Sequence, residues 1–144
     1  CILVATDASP LARKAEQAAI GLAASIGAAL VAVHVVPDYP LSYFKGTATV
    51  SPEEVARVED EGCARGQGVV DAVVAAAAAA GVSASGILAR SDHVAEAVLA
   101  AARKHGCDLI VMASHGHRGV RRMLLGSETA KVLTLSQIPV LVLR

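Results

Sequence analysis

The segment best suited to chemistry runs from residue 113 to residue 127, where glycines and basic side chains follow an apolar run. It ends on Gly126-Ser127, immediately before a helical pattern over residues 128–136. Such a strand-to-helix connection can aim several backbone N–H groups at one point, and the helix start adds partial positive charge there. This favours an anion site, most often one for phosphate. An ordinary surface loop with Ser127 as the helix N-cap explains the same residues.

Basic side chains are concentrated in this loop. Five of them lie close together: His115, His117, Arg118, Arg121 and Arg122. Over the whole chain, Lys plus Arg equals Asp plus Glu at 13 each, so the formal net charge is zero. Arginine binds phosphate oxygens bidentately, which favours a local polyphosphate site, although a solvated surface has the same composition. The overall balance indicates neither a nucleic-acid nor a membrane partner.

Asp7 is the second candidate for chemistry. It ends a buried apolar run and precedes Ser9-Pro10, a typical helix start. A carboxylate at this edge of a sheet can accept a hydrogen bond from a ligand hydroxyl or bind a metal ion. Turn formation alone is the alternative role.

The elements that must position these residues alternate along the chain. Aliphatic runs predict strands over 2–6, 29–36, 82–89, 109–113 and 138–143. Helices are predicted from Ser9 to Gly27, from Ser51 to about Ala80, and from 93 to 105 with Asp92 as its cap. The glycines inside the second helix indicate close packing. Together these elements predict one α/β domain over residues 1–144, with a parallel sheet covered on both faces. Such sheets bind ligands at the carboxyl ends of their strands.

Several other classes of protein are disfavoured. Cys1, Cys63 and Cys107 are odd in number and far apart in sequence, so we expect buried or incidental thiols in a reducing compartment. The uncharged run 72–89 is mostly alanine with interrupting glycines, so no membrane span is predicted. No zinc-hydrolase, P-loop, nucleophile-elbow or dinucleotide-binding motif is present. His34 is expected to be a hydrogen-bonded core residue.

Three segments together resemble the universal stress protein family, in its ATP-binding branch, over essentially the whole chain. They are ILVATDAS at 2–9, VHVV at 33–36 and SETAKVLTLSQIPVLVLR at 127–144. The family's G-x2-G-x9-G-[ST] pattern matches at Ala113, Gly116, Gly126 and Ser127, with alanine in place of the first glycine. The resemblance implies an open five-stranded sheet of order 3-2-1-4-5, an adenine-nucleotide α-hydrolase-like fold. It also implies a cytoplasmic homodimer, paired through the last strand from Ile138 to Leu143, that regulates rather than catalyses.

The same resemblance implies a site for ATP accompanied by Mg²⁺. Asp7 would contact the adenosine, the Val35 backbone would bind the adenine edge, and Gly116 would let the chain approach the phosphates. Gly126, Ser127 and the amides of Glu128 and Thr129 would cradle them. The full set of implied contact positions is Ala5, Thr6, Asp7, Val35, Met112, Ala113, His115, Gly116, Arg118, Gly119, Gly126, Ser127, Glu128 and Thr129.

At two positions the sequence departs from the family pattern in a way that bears on phosphate binding. Ala113 is compatible with the site only if its φ is negative. The Glu128 carboxylate would repel phosphate unless it points away.

Three alternative functions stay open. They are a module that no longer binds nucleotide, a site that prefers AMP or a cyclic nucleotide, and an adenylating enzyme. The last is disfavoured because residues 6–9 lack the glycines of a pyrophosphate loop. We also expect the loop 37–49, which holds all three aromatic residues, to act as a lid.

Overall fold

The computed structural model describes residues 1–38, 51–116 and 125–144. Within them, strands and helices alternate in this order: β1 (Ile2–Ala5), α1 (Pro10–Ile26), β2 (Leu30–Val36), α2 (Pro52–Ala79), β3 (Ala84–Arg90), α3 (Val94–Lys104), β4 (Leu109–Ala113), α4 (Ser127–Leu135) and β5 (Val140–Leu143). The strands pair in parallel in the order β3-β2-β1-β4-β5. The predicted fold class and strand order are therefore confirmed.

The core lies on both faces of the central strand β1. Leu3 and Val4 point to opposite faces and are completely buried. Leu3 belongs to an apolar cluster with Val98 of α3 and Val132 of α4, whereas Val4 belongs to one with Ala19 of α1 and with α2 residues. Because both faces of the sheet are covered at its centre, the strands β1 and β4 are continuous apolar runs rather than alternating ones.

The first two helices begin where the sequence predicts. Ser9 accepts a hydrogen bond from the Ala12 amide at 3.2 Å, and Pro10 is the first residue of α1. Gly27 ends the helix with a left-handed φ of 68°. At α2, the Ser51 hydroxyl and the Glu54 carboxylate form a reciprocal capping box.

The start of α3 differs from the prediction. Asp92 does not cap this helix; its Oδ1 accepts a hydrogen bond from the Asp38 amide at 3.1 Å. The N-cap residue is His93, which makes no side-chain capping bond. The acid that serves α3 comes from α4 instead, because Glu128 Oε2 accepts from the Ala95 amide at 3.1 Å. This cap could not be predicted from the sequence, because Glu128 and Ala95 are 33 positions apart.

Close packing accounts for one of the glycines in α2. A Cβ at Gly66 would lie 2.6 Å from Leu88 Cδ1 and 2.9 Å from Val36 Cγ1. This glycine therefore lets α2 cross β2 and β3 closely, as expected. Gly68 has open space at the Cβ position, so packing does not account for it.

The uncharged run 72–89 is divided between two elements. Helix α2 ends at Ala79, Gly81 turns the chain with a φ of 74°, and β3 begins at Ala84. Within the described ranges, no helix is both long and apolar enough to cross a membrane.

Ala8 has an unusual backbone conformation directly after β1. Its φ is 62°, the one left-handed value among the described residues that are not glycine. Two side chains hold this turn: Thr6 Oγ1 accepts from the Ala8 amide at 3.0 Å, and Asp7 Oδ1 accepts from the Ser9 amide at 2.9 Å. Such strain costs about 1–2 kcal/mol for an L-residue.

The strain at Ala8 predicts the effect of replacing it with glycine. Ala8→Gly should raise the free energy of unfolding by up to about 1 kcal/mol, because glycine adopts positive φ without a steric penalty. Urea unfolding measures this. The matched control Ala24→Gly, at an exposed position inside α1, should lower it by about 1 kcal/mol. Equal destabilisation by both variants would contradict the presence of backbone strain at Ala8.

Candidate functional site

The helices that follow β1 and β4 lie on opposite faces of the sheet. These two strands are neighbours, with Ala5 opposite Met112 in the last pair of their ladder. After β1 the chain enters α1, which packs on the same face as α2; after β4 it leads to α4, on the face of α3. The divergence opens the crevice at which doubly wound sheets bind ligands.

Gly116 lies directly against the carboxylate of Asp7. A Cβ at position 116 would collide with Asp7 Oδ2 and lie 3.2 Å from Asp7 Cγ. The φ of Gly116 is not left-handed, so close approach to the Asp7 side chain, rather than backbone freedom, favours glycine here. The structure thus brings together the candidates Asp7 and Gly116, which were predicted from separate parts of the sequence.

Gly126 closes the other end of the loop and caps α4. Its φ of −71° and ψ of 153° are extended, and its amide donates to the Ser114 carbonyl at 2.7 Å. A Cβ there would lie 3.2 Å from that oxygen and 3.3 Å from His115 Cα. Ser127 was predicted as the N-cap, and this is wrong: it is the first helical residue. The glycine backbone, packed on residues 114–115, takes the cap position instead.

The start of α4 presents three backbone donors. The amides of Ser127, Glu128 and Thr129 precede the first intrahelical bond, which runs from Ala130 to the Gly126 carbonyl at 2.9 Å. None of the three donates to an acceptor in the parts of the chain that the structure describes. Together with the helix dipole, such amides favour an anion.

A buried hydroxyl fixes this helix start to the sheet. Thr129 is 3% exposed, and its Oγ1 donates to the Ala113 carbonyl at 2.9 Å. Ala113 itself is the buried last residue of β4, and its φ is not positive. The methyl group at this position therefore fits the backbone, and the condition set by the sequence is met.

The Glu128 carboxylate is directed toward α3. Oε2 accepts from the Ala95 amide at 3.1 Å, and Oε1 accepts from Lys131 Nζ at 3.1 Å. A cap from a neighbouring helix and an ion pair thus engage both oxygens. The side chain is therefore held by partners on α3 and α4, and its effect on phosphate binding stays a prediction.

The ladder between β1 and β2 ends at Thr6. The Thr6 amide donates to the Val33 carbonyl at 3.0 Å, but the Thr6 carbonyl accepts from His34 Nδ1 at 2.7 Å. Because a carbonyl can only accept, this ring nitrogen carries the proton. His34 is therefore a hydrogen-bonded strand residue, as expected.

The Val35 backbone faces the space beyond β1. In a parallel ladder, alternate residues point their N–H and C=O groups to the same neighbour. Val33 bonds to Thr6, whereas the Val36 carbonyl accepts from Ser91 on the β3 side. Val35 therefore faces the β1 side, past the last residue of that strand.

Sequence reasoning missed Glu16, Ser114 and the inward role of Thr6. Thr6 Oγ1 donates a hydrogen bond to the Glu16 carboxylate, which connects the β1 loop to α1. Ser114 is 2% exposed; its amide donates to the Leu143 carbonyl, and its Oγ pairs with His115 Nδ1 at 3.1 Å. No spacing signal marks these residues, because the partners of Thr6 and of the Ser114 amide lie on other elements.

Some predicted features lie outside the described residues. Among them are the four basic side chains from 117 to 122, Gly119, and most of the loop expected to be a lid. Among the residues that are described, no three His, Cys, Asp or Glu side chains are grouped to hold a metal ion. Mg²⁺ therefore stays a prediction.

Comparison with known proteins agrees with this geometry. A model of the universal stress protein family matches residues 1–144. Universal stress protein YxiE of Bacillus subtilis is 34% identical over 145 residues, which cover 99% of this chain and 97% of YxiE. Among solved structures, universal stress protein UspA from Lactobacillus plantarum superposes with a TM-score of 0.82 at 24% identity, covering 99% of this chain and 96% of that one.

Two further structures with this fold contain adenine nucleotides. The universal stress protein from Archaeoglobus fulgidus in complex with dAMP has a TM-score of 0.64 at 19% identity, with 99% and 96% coverage. A universal stress protein in complex with cAMP has a TM-score of 0.70 at 22% identity, with 99% and 95% coverage. At this level of identity, the structural similarity shows a shared fold and nothing further. Family membership rests on the family model and on the 34% identity to YxiE. The chain belongs to the universal stress protein family.

Proposed function

We propose that this protein binds an adenine nucleotide, ATP with Mg²⁺, at the carboxyl ends of β1 and β4. The observation that carries the proposal is the start of α4, where three amides have no described acceptor. Gly126 at this start packs on His115, the neighbour of Gly116, which in turn contacts Asp7. Binding would act as a regulatory signal in a cytoplasmic stress response.

The phosphates would lie at the start of α4. Gly126 has no side chain to cover the amides of Ser127, Glu128 and Thr129, and the helix dipole adds partial positive charge. Because Glu128 is held by Ala95 and Lys131, its carboxylate does not need to face the phosphates. Mg²⁺ would supply further neutralisation of the phosphate charge.

The adenosine would lie beyond the carboxyl ends of β1 and β2. Asp7 stands at the end of β1 and can accept a hydrogen bond from a ribose hydroxyl. The Val35 amide and carbonyl face the same space and offer a donor and an acceptor to the adenine edge, as the ladder geometry indicates. Gly116 keeps the loop after β4 close to Asp7, which brings the two halves of the site together.

Adenine monophosphates form the second candidate ligand class. The relatives in complex with dAMP and cAMP favour it, whereas the several arginines between Gly116 and Gly126 favour a polyphosphate. Competition among ATP, AMP and cAMP in one binding assay separates the two.

We propose regulation rather than dedicated catalysis. Of the two histidines in the loop after β4, His115 has its Nδ1 engaged with the Ser114 hydroxyl. Among the described side chains in the crevice, we identify none as a general base. Any hydrolysis of ATP would then be slow and incidental.

The nucleotide site is tested by isothermal titration with ATP and Mg²⁺. The intact protein should bind, and Gly126→Ala should weaken binding by up to about tenfold, because its Cβ would lie 3.2 Å from the Ser114 carbonyl oxygen and 3.3 Å from His115 Cα, which must shift beneath the α4 start. Gly68→Ala is the matched control, since its Cβ meets open space, and it should bind as the unmodified protein does. Absence of heat at millimolar nucleotide would overturn the proposal.

The role of Glu128 gives a second test. Glu128→Ala should lower the free energy of unfolding by about 1 kcal/mol, because the Ala95 amide loses its cap, while leaving ATP affinity within a fewfold of the original. The control Glu96→Ala removes an exposed acid from the first turn of α3 without removing that cap, so it should cost less. A tenfold gain in affinity with unchanged stability would show that the carboxylate repels phosphate.

We further propose that two copies pair through β5. This strand is an edge of the sheet, and Leu141 is 42% exposed. The carbonyls of Pro139 and Leu143 accept from β4, so the backbone groups of Val140 and Val142 point outward. An apolar edge of this kind is an aggregation risk unless it is paired, and a two-fold axis pairs both copies at once.

The dimer is tested by light scattering with size-exclusion chromatography. Leu141→Lys should shift the protein from dimer to monomer, because charges on an edge strand oppose strand pairing. Ile26→Lys is the control: this residue is 63% exposed at the end of α1, away from the edge. A monomeric starting protein, or a dimer that survives Leu141→Lys, would contradict pairing through β5.

A further inference from the structure

Two cysteines that are far apart in sequence meet at the amino ends of the central strands. Cys1 Sγ lies 3.2 Å from Cys107 Sγ. Both backbones are held in place: the Cys1 carbonyl accepts from the Asp108 amide at 2.9 Å, and the Cys107 amide donates to the Ala102 carbonyl at 2.9 Å. The approach of the two sulfur atoms therefore follows from the register of β1 beside β4.

The two thiols differ in their access to solvent. The Cys1 side chain is 20% exposed, whereas Cys107 is 5% exposed. Both pack in the apolar cluster between the sheet and α3, and burial raises the pKa of the Cys107 thiol. A small oxidant in solution therefore reacts first with Cys1, and Cys107 is close enough to react with the oxidised Cys1 sulfur.

The third cysteine provides an internal comparison. Cys63 lies on α2, which packs against the opposite face of the sheet. Its thiol is half-buried and free. The sheet itself thus separates Cys63 from the pair, so that no intramolecular disulfide can include it without unfolding.

We propose that Cys1 and Cys107 form a reversible disulfide when the protein meets a peroxide. The pair is a modification site at the end of the sheet opposite the proposed nucleotide site. It does not depend on nucleotide binding, and it uses residues that carry no role there.

The chemistry balances with one peroxide for each disulfide. The Cys1 thiolate attacks one peroxide oxygen, the O–O bond breaks, and a sulfenic acid forms with release of water. The Cys107 sulfur then attacks the Cys1 sulfur, the S–O bond breaks, and the hydroxyl leaves as a second water with the Cys107 proton. Two thiols lose two electrons and two protons, and a dithiol reductant reverses the reaction.

The cross-link would tie together the starts of β1 and β4, the two strands whose carboxyl ends diverge at the crevice. It closes a chain loop of more than 100 residues, since the cysteines are 106 positions apart. A loop of this length removes much freedom from the unfolded chain, so the midpoint of thermal unfolding should rise by on the order of 10 °C.

The test is peptide mapping of the full chain after treatment with one equivalent of hydrogen peroxide, followed by alkylation and trypsin. The expected product joins the peptide of residues 1–13 to that of residues 105–118. The peptide 58–65 with Cys63 should stay alkylated, and free thiols should fall from three to one. Dithiothreitol should restore all three thiols.

Variants make the assignment specific. Cys63→Ser should cross-link as the unmodified chain does, whereas Cys1→Ser and Cys107→Ser should each lose the product. Because Cys107 is buried and its variant can fail to fold, Cys1→Ala serves as the decisive variant, with circular dichroism to confirm folding. Oxidation of Cys1 to sulfinic acid beside an alkylatable Cys107 would overturn the proposal, as would a cross-link through Cys63.

Discussion

The central position of β1 is the constraint on which the rest of the structure depends. Leu3 and Val4 bury both faces of this strand completely, so helices must cover each side. Its neighbours β2 and β4 continue in opposite directions along the sheet, and the helices that follow the loops after β1 and β4 consequently lie on opposite faces. The crevice between these loops is thus a product of packing, before any functional residue is considered.

Contacts from three directions set the start of α4 within that crevice. The Gly126 amide bonds to the end of β4, Thr129 bonds to the Ala113 carbonyl, and Glu128 reaches across to cap α3. Each contact satisfies a polar group of the fold, yet none uses the first three amides of the helix. A helix start that is fixed in place, and whose first amides have no acceptor among the described residues, is pre-organised for an anion, which is why we propose the phosphate site there.

Local signals in the sequence predicted most of the fold, because strands and caps depend on nearby residues. The aliphatic runs, Ser9, Gly27 and the Ser51–Glu54 box appear where expected. The prediction at Asp92 was wrong because the group that replaces it, the Glu128 carboxylate, comes from a distant part of the chain. The prediction at Ser127 was wrong by one residue, because Gly126, whose amide bonds to the Ser114 carbonyl, takes the cap position.

Contacts between distant parts of the chain also limited what could be predicted about the candidate site. The sequence indicated that Gly116 mattered, but its contact with Asp7 exists only once β1 lies beside β4. Likewise, the meeting of Cys1 with Cys107 follows from strand register and from no spacing motif. The role of a residue whose partner lies on a neighbouring strand or helix can be predicted only once the topology is known.

The most direct measurement of the central claim is a titration of the isotopically labelled protein with ATP and Mg²⁺, followed by amide NMR. We expect saturable shifts at the amides of Ser127, Glu128, Thr129 and Val35, with Ala24 on the far part of α1 unchanged. Saturable binding that shifts other amides and leaves the α4 start unperturbed would contradict it, as would no shift at all.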